Sequence, residues 1–82
     1  MMDLADYEWH YYSGGNCALK RRKYGGVLAT IIHNNQGIYE AAINRKDQVY
    51  PREENFISVG VFNDSNEAQA VINQILEEKF NE

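Results

Sequence analysis

The segment NDSNEAQAVINQILEEKF, residues 63–80, limits the possible folds of this chain more than any other. After Asp64, apolar residues recur at Ala68, Val71, Ile72, Ile75, Leu76 and Phe80, the spacing of one helix face. Asn66, Gln69, Asn73, Gln74, Glu77 and Glu78 fall on the other side. Asp64, with Glu67 three residues on, fits a capping box of the Asp-x-x-Glu kind. The pattern predicts an amphipathic helix from about Ser65 to Lys79. Its apolar stripe needs another layer to cover it.

Upstream, the chain reads as a run of strands. YEWHYY, SGGN and CALKRR make a first hairpin around a glycine-containing loop. KYGG turns the chain into VLATIIH, whose near-absence of polar positions predicts a central strand covered on both sides. NNQG is the next tight connection, to IYEAAIN, where Tyr39, Ala41 and Ile43 alternate with Ile38, Glu40 and Ala42. RKDQVYPREEN, residues 45–55, is polar, holds the only proline and reads as an exposed loop. FISVGVF resumes as a strand with Ile57, Val59 and Val61 on one face. Gly60 within it marks a bulge or a close backbone approach. The expected fold is α+β: an antiparallel β-meander of four to five strands with one C-terminal amphipathic helix packed on one face. It forms a single domain over residues 1–82. At this length, with 44% apolar and 24% charged residues, the chain is globular but small enough to want a partner or a second copy.

A helix of about fifteen residues is ~22 Å long and covers only part of one sheet face. The first strand offers Tyr7, Trp9 and Tyr11 on one side, and Glu8, His10 and Tyr12 on the other. Whichever set packs inward, an aromatic side chain faces outward. These rings either complete a thin core or form a contact surface of the residue types that dominate binding hot spots, with Trp9, Tyr11 and Tyr12 as candidates.

Catalytic and metal signatures are weak. The one helix follows GVFND, not a glycine-rich phosphate loop, and the glycines of SGGN and YGG lie between strands. Cys17 with His10 or His33 would need a third orienting group and a pocket. Those three residues also lack the paired spacing of a zinc site. A non-enzymatic protein with no cofactor and no metal is the expectation. The single cysteine forms no internal disulfide. The opening MMDLADYEW lacks the basic and apolar regions of a signal peptide, and no apolar run nears the ~20 residues that span a bilayer. The expected setting is the cytosol, with no membrane.

The run Lys20, Arg21, Arg22, Lys23 sits in a chain of net charge −4. Strand alternation divides it. With Leu19 inward, Lys20 and Arg22 project to the far face, Lys23 enters the turn, and Arg21 snorkels out at the sheet margin. Arg45, Lys46 and Arg52 would extend the patch, and Tyr24 beside it suits base stacking. The acidic balance argues against a broad basic field, so a protein-docking patch is preferred over a nucleic-acid clamp. On the helix, Glu77 and Glu78, with Glu67, present carboxylates that suit a basic groove on a partner.

GGVLATIIHNNQGIYEAAI and GVFNDSNEAQAVINQIL resemble in style the small acidic α+β proteins of phages and mobile elements, including anti-CRISPR and other anti-defence inhibitors. The resemblance implies a protein that binds one host protein or complex and blocks its nucleic-acid site or its movement, in the host cytosol. That group shares no common motif, so no functional residue carries over. The expected partner-binding residues are Trp9, Tyr11, Tyr12, Lys20, Arg22, Lys23, Glu77 and Glu78. The alternative is a small nucleic-acid-binding module using the basic hairpin at residues 20–23. A third reading is a homodimer paired through an edge strand.

Overall fold

A computed structural model of the chain describes residues 4–23, 26–48 and 55–80, the side chains at 4, 45–48 and 79–80 excepted. A 3-10 turn, Leu4–Asp6, leads into β1 (Tyr7–Tyr11), β2 (Cys17–Arg21), β3 (Val27–His33), β4 (Tyr39–Gln48) and β5 (Phe56–Phe62), followed by α1 (Ser65–Phe80). Each strand pairs antiparallel with the next, giving the sheet order β1-β2-β3-β4-β5. The fold is the expected α+β meander, with five strands and the helix packed against one face.

Local chemistry sets the corners. The Tyr12 N–H donates to the Asn16 carbonyl at 2.8 Å, closing the β1–β2 connection. Between β3 and β4, the Asn34 side-chain oxygen accepts from the N–H groups of Gln36 at 2.8 Å and Ile38 at 3.1 Å, an Asx turn. Asp64 caps α1: its carboxylate accepts from the Asn66 N–H at 3.0 Å. The core lies between sheet and helix, with Cys17, Leu19, Ala29, Ile31, Ala41 and Ile43 facing Ala68, Ile72 and Leu76. Burying side chains such as Ile72 and Leu76 contributes about 1.5–3 kcal/mol each.

Three expectations change. β3 is central in the sheet, but helix covers only one of its faces, and Ile32 is 52% exposed. Its apolar excess arises partly from a bulge. Pairing steps from Leu19↔Ala29 to Lys20↔Val27, so Leu28 is an extra residue and turns inward. In β5, Ala41 pairs with Gly60 and Ala42 with Ser58, leaving Val59 over. That bulge, with Gly60 at φ 143, shifts the alternation. Ile57 therefore shares the helix side with its partner Ile43, while Val61 lies with Glu40 on the open face. Ile57, Val59 and Val61 do not share a face. Finally, β4 runs on to Gln48, through the first part of the supposed loop. Val27 pairs with Gln48, and the buried Asn44 amide donates to the Val27 carbonyl at 3.0 Å where the ladder is interrupted. Residues 49–54 lie outside the described residues.

Candidate partner-binding site between β1 and α1

Alternation places Tyr7, Trp9 and Tyr11 of β1 on the helix side, since their register partners are Arg21, Leu19 and Cys17. Tyr7 is buried, Trp9 half-buried against the core, and Tyr11 exposed. Alongside this aromatic row runs a polar stripe of α1. Gln69, Asn73 and Glu77 stand four residues apart and so share one helix face. At one end, the Gln69 amide donates to the Tyr11 hydroxyl at 3.1 Å and to the Cys17 sulfur at 3.5 Å. Farther along, Ala5, Tyr7, Trp9, Leu19, Asn73 and Glu77 line an open cleft of about 290 Å³. Among the described residues, no cation pairs with the exposed Glu77 carboxylate.

The structure thus brings together two candidates from opposite ends of the chain, Trp9 and Glu77. The cleft also enlists Tyr7, Leu19, Asn73 and Ala5, which the sequence reading did not select. The i, i+4, i+8 spacing of Gln69, Asn73 and Glu77 signals such a stripe, but only strand register shows what it faces. Glu78 is exposed, about 100° round the helix from Glu77, and does not line the cleft. Tyr12 is 50% exposed at the β1–β2 corner, one residue past the end of β1.

The cationic run is divided as alternation requires, and two of its members are engaged. Arg21 lies over the Tyr7 ring, 5.8 Å from its centroid, and donates to the Tyr7 hydroxyl at 3.4 Å. Arg22 donates to the Ala5 carbonyl at 3.0 Å and pairs with Glu8 at 3.3 Å. The other Glu8 oxygen is 3.1 Å from His10 Nε2. Lys20 stands opposite Glu8 in the register, on the open face, and Lys23 is exposed in the turn. A carboxylate therefore sits at the centre of the supposed basic patch, which weakens its field. Tyr24, Arg52 and the side chains of Arg45 and Lys46 lie outside the described residues.

Cys17 is buried, with Ser65 Oγ at 3.9 Å and Gln69 as neighbours. His10, opposite Ala18, projects to the other face of the sheet. His33 stacks on Tyr39, ring centroids 4.4 Å apart. Among the described residues, no group of three His, Cys, Asp or Glu side chains is placed to hold a metal. No helix among them is long and apolar enough to cross a membrane. No family model, curated protein or solved structure matches the chain.

Proposed function

We propose that the protein is a non-enzymatic binding module of the phage-inhibitor kind, anti-CRISPR or otherwise anti-defence. It engages a basic surface of a host nucleic-acid-handling protein and blocks it. The observation that carries this reading is the β1–α1 cleft, where Trp9 and Glu77 meet. An indole ring and a carboxylate with no cation partner among the described residues, both lining one cleft, suit a lysine or arginine side chain, through cation–π attraction and an ion pair. A half-desolvated cation on Trp9 contributes about 0.5–2 kcal/mol. The cleft is at the small end of ligand pockets, which run to about 300–1,000 Å³, and so fits one side chain better than a free metabolite. Glu67 and Glu78, exposed on the same helix, steer a basic partner toward it.

The test is capture from nuclease-treated host lysate on immobilised protein, comparing wild type with Glu77→Lys. Glu77 is exposed, so the variant folds, as circular dichroism would verify. The wild type retains a protein that moderate salt releases, and Glu77→Lys loses it. Capture that survives Glu77→Lys overturns the reading. So does recovery of nuclease-sensitive material alone, with loss on Lys20→Glu and Lys23→Glu, which establishes the nucleic-acid alternative instead.

A further inference from the structure

The sheet face opposite α1 carries two cross-strand rows of contrasting size. Ile32, Glu40 and Val61 are register partners across β3, β4 and β5, and Ile32 and Val61 are 52% and 63% exposed. The adjacent row on the same face is Thr30, Ala42 and Ser58. The first row stands as a ridge, and the second lies beside it as a trough. Thr30, Ile32, Glu40, Ala42 and Ser58, together with Phe56, line a groove of about 640 Å³, and Val61 stands outside it at the end of the ridge.

A two-fold axis running across the strands, midway between the rows, carries the ridge onto the trough. We propose that a second copy of this chain packs here, open sheet against open sheet, about that axis. The rotation lays β3 over β3 with its direction reversed, which fits the aligned packing of two sheets within about 30°. Ile32 of each copy then sits over Thr30 of the other, Glu40 over Ala42, and Val61 over Ser58. The Glu40 carboxylate enters between the Thr30 and Ser58 hydroxyls, which donate to it, so the charge meets hydrogen-bond donors. Every contact occurs twice, as an isologous interface requires. The charged pair Glu8 and Lys20 falls on the rim of the overlap.

Area agrees with this occupant, while the two Glu40 carboxylates, about 7 Å apart across the axis, weaken the association. Five strands at ~4.8 Å each and about seven residues at ~3.4 Å present roughly 570 Å² per copy. The pair buries roughly 1,100 Å², near the lower bound of a specific interface, so the dimer is concentration-dependent. Net charge of −4 opposes association. However, the acidic helices lie on the two outer faces, about 30 Å apart across layers of about 10 Å, well beyond the ~8 Å Debye length. Both β1–α1 clefts remain outward, which makes the dimer bivalent toward a partner.

Sedimentation velocity of the full chain, from micromolar to submillimolar concentration, tests the proposal. The wild-type mass rises to twice that of the monomer. Ile32→Asp with Val61→Asp abolishes the rise, and Ala42→Trp, which fills the trough, does the same. Thr30→Val with Ser58→Ala weakens association several-fold, whereas Glu77→Lys leaves it unchanged. Ile32 and Val61 are exposed, so the aspartate variants keep the wild-type circular dichroism at concentrations where the wild type is monomeric. A monomer at every concentration overturns the proposal. So does a dimer indifferent to Ile32→Asp and Ala42→Trp, which places the contact away from the open face.

Discussion

Gly15 sits at φ 88, and a Cβ there would stand 3.0 Å from His33 Nδ1. The His33 ring is pinned: it stacks on Tyr39 and its Nδ1 lies 3.0 Å from the Gly14 carbonyl, while the His33 backbone N–H donates to Asn16 Oδ1 at 2.8 Å. Gly15→Ala therefore lowers stability by about 1–2 kcal/mol through left-handed backbone strain and displacement of the ring. Gly14, at φ 80 with open space around it, isolates the backbone part. Gly14→Ala is the milder change, and urea midpoints of the two variants measure the contribution of His33. At the start of α1, Asp64→Ala costs about 1 kcal/mol in the same assay, and Asp64→Asn much less. The cap was legible in the sequence because it is local, spanning two residues. The His33 pin was not, because it joins residues 17 to 19 positions apart through the hairpin.

Among the elements, α1 follows its pattern closely. Ala68, Ile72 and Leu76 form the buried stripe, while Ile75, at its margin, is 38% exposed. Ile72→Ala lowers stability by about 2–5 kcal/mol, because it leaves a cavity in the centre of the core. Ile32→Ala stays within about 0.5 kcal/mol in the monomer, because that side chain is exposed on the open face. Denaturant unfolding of both variants at low concentration checks that the sheet is covered on one side only. Composition alone misleads about β3 and β5 for a shared reason. A bulge inserts one residue and exchanges the faces beyond it, so strict alternation fails past Leu28 and Val59. Gly60 signalled one bulge; nothing in VLATIIH signalled the other.

The whole molecule has two unlike surfaces. The helix side carries exposed carboxylates and the aromatic cleft, and the open side carries the ridge and trough. On the proposed function, partner affinity at the cleft falls as salt rises from low to moderate ionic strength, since it would depend on exposed charges, and titration calorimetry on the captured partner measures the slope. Sequence by itself determined the fold class, the helix with its cap, the order of the strands and the splitting of the cationic run. These follow from periodicity and from turn chemistry acting over a few residues. Tertiary structure decided which faces meet. Trp9 and Glu77 are 68 positions apart, and Tyr11 and Gln69 are 58 apart. Only the sheet register, set by two bulges and by the packing of Ile72 and Leu76, brings them together. Long-range pairing is the sum of many weak local preferences, so no single stretch of sequence encodes the cleft.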